Sequence, residues 1–266
     1  MAKPNYYLQN ATLLDQIHKS KITYCSKAEP KYQSFDFIVD SLDEVTPEKL
    51  EQATTRKSTL ELKRLRKEAR DKGWRISEAR YNAIKAPTYS NDQLVIRVMT
   101  WDHIPKLERD EKKAAPKAIK HHHEPVNFIP FKHYVPTENG FREVLRSHWK
   151  GDIETGYFCA DHGKITNTLG KCFLMLSQRY GSRGNWRGYS YVEEMKGEAL
   201  VNLVNHGLMF NEAKSSNPFA YYTAACSNSF TKILNAEKRM QEAKDDLMED
   251  AGIKPSHTRQ LKNNGW

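Results

Sequence analysis

A mainly α-helical fold is predicted by three features of this 266-residue sequence. Its last hundred residues carry apolar side chains at helical spacing in successive stretches. The longest of these opens at Asn217-Pro218 and stops near Gly252, the residue types that favour a helix start and a helix end. The composition is polar, with 38% hydrophobic and 28% charged residues and a mean hydropathy of −0.78. That balance favours long solvated helices or partly disordered stretches. The expected architecture is a C-terminal helical bundle preceded by a basic α or α+β insertion.

Along the chain, residues 1–30 read as a helical segment that packs with the C-terminal bundle, and residues 31–104 as the insertion. Residues 1–50 hold six Lys against seven Asp and Glu, whereas residues 56–85 hold eleven Lys and Arg against four acids. Leu60, Leu62 and Leu65 among strong helix formers predict a helix over 47–72, stopped at Gly73. The β-branched run Gln93 to Met99 predicts a strand. The stretch Ser34 to Leu42, acidic and apolar by turns, reads as a buried strand or helix start. Residues 105–150, with Lys112-Lys113, Pro116 and His121-His122-His123, read as a linker or partly ordered segment.

Residues 151–252 carry the bundle. Leu169, Phe173, Leu176 and Tyr180 predict a helix over 168–180, which Gly181 to Asn185 breaks. Val192, Met195, Ala199 and Leu203, with Leu200, Val204 and Leu208 beside them, predict a second over 192–210. Phe219, Tyr222, Cys226, Phe230 and Ile233 form the buried stripe of the third, and residues 253–266 are left as a tail.

Forty-two Lys and Arg against thirty-three Asp and Glu leave a formal charge of +9, which favours a polyanionic partner. The longest apolar run, Cys172 to Leu176, is far short of the ~20 residues of a bilayer span, so no membrane role is expected. The polar start Met1-Ala2-Lys3-Pro4-Asn5 lacks the apolar core of a secretion signal, and Cys25, Cys159, Cys172 and Cys226 form no close pair. Both point to a reducing cytoplasm. No phosphate-binding glycine loop, HExxH, nucleophile elbow or zinc-finger spacing occurs, so no enzyme, cofactor or metal is indicated. Cys159-Ala160-Asp161-His162 could offer a thiolate and an imidazole to a metal, against the simpler reading of a structural turn. Opposite the apolar stripe of the third helix lie Tyr221, Asn228, Lys232, Asn235 and Arg239. Rings stack on bases, amides read base edges and cations hold phosphates, so this face suits unpaired DNA; an ordinary solvated face is the alternative.

From Leu169 to Arg239 the chain resembles conserved region 2 of the sigma-70 class of transcription initiation factors, and most closely the late-gene sigma factors of T-even-like phages. The resemblance is carried by Cys172-Phe173-Leu174-Met175-Leu176-Ser177-Gln178-Arg179-Tyr180, by Glu194-Met195, and above all by Asn217-Pro218-Phe219-Ala220-Tyr221-Tyr222-Thr223-Ala224-Ala225-Cys226-Ser227-Asn228-Ser229-Phe230. A shorter echo lies at Pro4 to Asn10 and Leu13 to Ile17.

The resemblance implies a sigma region 2-like bundle and a role in late transcription in the host bacterial cytoplasm. It implies that Glu194, Glu198 and Asn202 meet the clamp helices of the largest subunit of core RNA polymerase, with the flap and a phage co-activator as further candidate partners; Ser34 to Leu42 has the acidic and apolar character of the segment by which the phage factors grip the flap, against the simpler reading given above. It also implies that the third helix melts and reads an AT-rich −10 promoter element as single-stranded DNA, through Tyr221, Tyr222, Asn228, Ser229, Lys232, Asn235 and Arg239. Ala225 and Cys226 stand where the housekeeping factors have paired tryptophans, and Ser229 where they have a base-reading glutamine. Only Met240 to Trp266 follow, too few for a −35-reading domain. Arg64, Arg66, Lys67 and Arg70 of the basic block are then candidates for sequence-independent contact with duplex DNA. Two other functions fit the residues: a basic DNA-binding regulator that ignores polymerase, and a metal-dependent nuclease built on Cys159, Asp161 and His162.

Overall fold

The computed structural model describes residues 8–71, 83–107 and 123–263. Helix prevails, at about 53% of residues, with seven α-helices among those described, so the mainly α expectation is met. A small sheet accompanies them. The chain divides into two units, one made of residues up to Ile17 with Thr166–Phe210 and the chain from Ser215 on, the other of His18–Ile165 and Asn211–Lys214. Helix α1 (Asn10–Ile22) is shared between them at Ile17 and His18.

The first unit is helical. Thr166 opens α4 (Asn167–Gly181) by accepting a hydrogen bond from Leu169 N at 3.3 Å. Helix α5 (Val192–His206) runs into a 3-10 turn, Gly207–Met209, so the second predicted helix tightens before its expected end. Asn217 Oδ1 accepts from Ala220 N at 3.1 Å and Pro218 takes the first position of α6 (Pro218–Asp250), 33 residues long. Its end is a Schellman motif: Ile253 N reaches Met248 O at 2.8 Å and Gly252 N reaches Glu249 O at 3.0 Å, with Gly252 at φ +71°. Beyond it the tail is not extended but forms α7 (His257–Asn263). Asp245, 3% exposed, organises this return by accepting from Ser256 N at 2.9 Å and Ser256 Oγ at 2.7 Å.

The core of this unit comes from the predicted stripes. Leu169, Phe173, Leu176, Met195, Ala199, Leu203, Tyr222, Cys226 and Phe230 are all buried. Phe173 packs edge-on to Tyr222 at 5.0 Å and Tyr180 edge-on to Phe230 at 5.0 Å. Gly207 lets the Phe173 ring lie on bare backbone; a Cβ there would come within 2.4 Å of it. Val192, Leu200 and Ile233 of the expected stripes are only half-buried, and two more are exposed, Val204 at 44% and Phe219 at 40%.

The second unit is built on a four-stranded sheet ordered β1 (Phe37–Val39), β2 (Ile96–Met99), β3 (Phe131–Thr137) and β4 (Gly140–Arg146). Strands β1 and β2 are parallel, which requires a crossover, and α3 (Pro47–Asp71) supplies it. The short α2 (Pro30–Gln33) precedes β1. Leu50 of α3 packs on Val39, Ile96 and Val98. Lys57 Nζ ties the helix down through Asp36 Oδ2 at 2.9 Å and Gln93 O at 2.6 Å. Strands β3 and β4 form a hairpin whose turn ends on Gly140 at φ +128°, open to glycine and strained for other residues. A two-stranded ribbon, β5 (Trp149–Lys150) with β6 (Tyr157–Phe158), follows.

Several expectations are corrected here. Residues 123–150 are not a linker: they hold β3, β4 and β5, and Val135, Val144 and Leu145 are buried. The helical unit starts at Thr166 rather than 151, because Tyr157–Phe158 pair with Trp149–Lys150. The strand expected over 93–99 begins at Ile96, after a 3-10 turn at Asn91–Gln93. Ser34 to Leu42 holds β1. Lys72, the Gly73 stop, Lys112 to Lys117, His121 and His122 lie outside the described residues, as do Pro4 to Tyr7. His123, the last of its run, is half-buried, and its Nδ1 meets Ile104 O at 3.1 Å. Among the described residues no helix is long and apolar enough to cross a membrane.

Candidate functional site

Helix α6 separates its two faces by phase. Tyr222, Cys226, Ser229 and Phe230 turn inward. Asn228, Lys232, Asn235 and Arg239 turn outward at steps of four, three and four, one continuous polar and cationic stripe spanning about 16 Å at a rise of ~1.5 Å per residue. Tyr221 continues the stripe toward the N-terminus but is half held: its hydroxyl donates to His206 O at 3.3 Å and its ring edge meets Phe210 at 5.6 Å. At 37% exposure it keeps part of its ring for a ligand.

Three residues expected to touch a partner are placed otherwise. Tyr222 is 0% exposed and its hydroxyl donates to Gly207 O at 3.0 Å. Ser229 is 3% exposed, donates to Ala225 O at 3.1 Å and accepts from Asn202 Nδ2 at 2.9 Å. That contact also spends the Asn202 amide inside the bundle, where it joins α5 to α6. Of Ala225 and Cys226, the second is 1% exposed with its thiol pushed up to about 11 by burial. The outward positions at this level are Ala224 and Asn228, one turn apart. The exposed amide at this level is that of Asn228, one residue before the buried Ser229.

The outer face of α5 carries Glu194 and Glu198, followed by Val201 at 55% and Val204 at 44% exposure. Glu194 is open. Glu198 Oε1 accepts from Lys232 Nζ of α6 at 2.5 Å. Two residues assigned to different partners are thus each other's partner, and a change at either alters both faces. Phe219, Leu176, Tyr180, Thr223 and Cys226 line a pocket of about 490 Å³ together with Arg179 and Arg183. The Arg183 guanidinium lies 4.4 Å from the Tyr180 ring centre.

In the basic block, Arg64 is engaged by Glu61 Oε2 at 2.9 Å and by Glu68 Oε1 at 3.1 Å, and Arg66 is half-buried. Lys67 and Arg70 are exposed. The Cys159 to His162 segment is a turn, with His162 Nδ1 donating to Cys159 O at 2.6 Å. Among the described residues no three His, Cys, Asp or Glu side chains are grouped to hold a metal ion.

A buried charge cluster in the second unit was not among the expected sites. Arg97, 0% exposed, lies between the rings of Phe35 at 3.9 Å and Phe131 at 3.8 Å. It donates from Nε to His133 Nε2 at 3.0 Å, from Nη2 to His18 Nδ1 at 2.9 Å and from Nη1 to Glu212 Oε2 at 3.4 Å. Lys21 Nζ donates to the same carboxylate oxygen at 2.7 Å. Because a guanidinium only donates, both histidines accept through a lone pair and are neutral. Their other nitrogens donate to carbonyls, His18 to Gln33 O at 2.8 Å and His133 to Tyr32 O at 2.7 Å. Burial and then Arg97 lower His18 to about 4 and hold His133 well below its usual range. Burial alone would raise Glu212, but Lys21 and Arg97 outweigh it and keep the carboxyl below its ordinary value. The one visible signal is Arg97 itself, a cation inside the apolar run Leu94 to Met99.

No protein-family model, curated protein or solved structure matches this chain.

Proposed function

We propose that the chain is a transcription initiation factor of the sigma class, which binds bacterial core RNA polymerase and directs it to AT-rich −10 elements of late promoters. The observation that carries this reading is the outward stripe Asn228, Lys232, Asn235 and Arg239 on α6, set beside the acidic and apolar outer face of α5. The strings that resemble region 2 fall on α4, α5 and α6, with Asn217-Pro218 opening the last. In this reading Asn228 and Asn235 present amides to base edges, Lys232 and Arg239 hold phosphates, and the free part of Tyr221 stacks on an unpaired base. A-T pairs separate at the least cost, so a face with few rings suits an AT-rich element. Glu194 and Glu198 meet cations on the polymerase, and Val201 and Val204 give that contact an apolar centre. The chain contributes no catalytic residue, since bond formation belongs to the polymerase.

The Glu198 to Lys232 pair dictates how the docking face is tested. Glu198→Lys alone brings two ammonium groups together, so its effect on core binding cannot be assigned to the partner. The double exchange Glu198→Lys with Lys232→Glu restores the pair while inverting the charge shown by α5. Because the pair is solvent-exposed, the exchange should leave stability within about 1 kcal/mol of the parent. Retention of bacterial core polymerase by the immobilised full chain should nevertheless fall at least tenfold. Equal retention by parent and exchanged protein would remove Glu198 from the docking surface.

A further inference from the structure

We propose that the outer face of α3 binds the phosphate backbone of duplex DNA through Arg56, Lys63, Lys67 and Arg70. This rests on, and deepens, the promoter-binding reading by adding a second, sequence-independent contact from the other unit.

The four side chains are exposed. Steps of seven, four and three residues keep them within an arc of about 60° on the helix, over a length of about 21 Å. None of the four has an ion-pair partner among the described residues. Their neighbours differ: Arg64 is taken by Glu61 and Glu68, and Lys57 by Asp36. Glu61 and Glu68 of α3 thus engage Arg64 and Asp36 from before β1 engages Lys57, which leaves one line of cations without an ion pair among the described residues. Lys49 prolongs that line by two turns, loosely held by Glu44 at 3.7 Å. Such a line repels itself, since like charges one turn apart destabilise an isolated helix, and an anionic partner relieves the repulsion.

The chemistry of the face selects the partner. Helix α3 contains no Phe, Tyr or Trp, so it offers no ring on which an unpaired base could stack. It offers no amide directed at base edges among the four cations. What remains is a row of point charges at regular spacing, and a regular, closely spaced array of phosphates is what a duplex presents. Helix α3 crosses between β1 and β2, with Leu50 on the sheet and Lys57 bonded to Asp36 and Gln93, which fixes the row as a rigid edge.

The test measures binding of the full chain to a labelled 20-base-pair duplex of arbitrary sequence, without polymerase, between 50 and 200 mM salt. The parent should show a steep loss of affinity with salt. Replacing Arg56, Lys63, Lys67 and Arg70 together by Ala should make the slope of log K against log salt shallower by about 3 to 4, from ~0.9 per phosphate contact, and lower affinity at 50 mM salt at least tenfold. Arg56→Lys with Arg70→Lys should stay within twofold of the parent, because charge alone is used. Circular dichroism of each variant should match the parent, all four positions being solvent-exposed. An unchanged slope for the quadruple variant would overturn the proposal, as would an equal or larger loss on a 20-nucleotide single strand or on phosphatidylserine vesicles. The initiation reading is judged separately by core retention: a chain that ignores polymerase yet shows this change of slope keeps the α3 contact and loses the sigma assignment.

Discussion

Glu212→Ala should destabilise the unit that holds the sheet by about 3–5 kcal/mol, the cost of leaving a buried cation without its counter-charge. Arg97 and Lys21 both donate to Glu212 Oε2, and both are almost wholly enclosed, at 0% and 1% exposure. Both cations donate to this one carboxylate, so its loss removes a counter-charge from two buried cations at once. Glu212→Gln keeps the shape and one acceptor and should cost less. The measurement is urea denaturation followed by tryptophan fluorescence, Trp101 and Trp149 reporting from this unit. A change below about 1 kcal/mol for Glu212→Ala would mean that water reaches the cluster and solvates the cations.

Acid should have an effect of similar size. Burial, ahead of every other cause, lowers His18 and His103 to about 4 and His148 to about 3. The unfolded chain protonates these imidazoles near pH 6.5, whereas the folded one resists until pH 4 or below. Protons therefore bind the unfolded state first, and stability that is complete above about pH 6.5 is lost as pH falls through the window from 6.5 to 4. Below pH 3 this contribution stays absent. At about 1.4 kcal/mol per tenfold change in proton affinity, His18 and His103 each remove up to roughly 3 kcal/mol and His148 up to roughly 5 kcal/mol, against a total of ~5–15 kcal/mol for a domain. The urea midpoint should drop steeply between pH 7 and pH 4.5. A midpoint unchanged over that interval would show that the imidazoles are solvated or already charged at neutral pH.

The helical unit was legible because each of its elements carries its own signal. Asn217-Pro218 supplies a side-chain acceptor at one end of α6 and Gly252 a left-handed residue at the other, and both act in place. Apolar residues at three- and four-residue steps likewise located α4 and α5. The β-branched run marked β2, but β3 and β4 fell in the stretch read as a linker. Arg97 in β2 and His133 in β3 are fully buried polar residues, so no local pattern shows that these positions are the most enclosed. Their burial is made possible by His18 and Glu212, which are distant in sequence, and no local window contains that information. On α6 the outward stripe was legible from its period, but single positions were not. A helix turns 100° per residue, so of the neighbours Asn228 and Ser229, both expected to face DNA, one stands in solvent and the other in the core. Phe219 and Val204 show the reverse: apolar residues at core spacing that the bundle leaves exposed. The pairing of Glu198 with Lys232 joins two helices and has no sequence signature at all.

Run-off transcription with bacterial core polymerase bears most directly on the central claim. Core enzyme, with and without the full chain, is given linear duplex templates whose upstream region is randomised, and the 5′ ends of the transcripts are sequenced. The account predicts defined start sites only when the chain is present, with an AT-rich element about ten base pairs upstream, and a large loss of those starts for Asn228→Ala with Arg239→Ala. The same distribution of starts with and without the chain would contradict it.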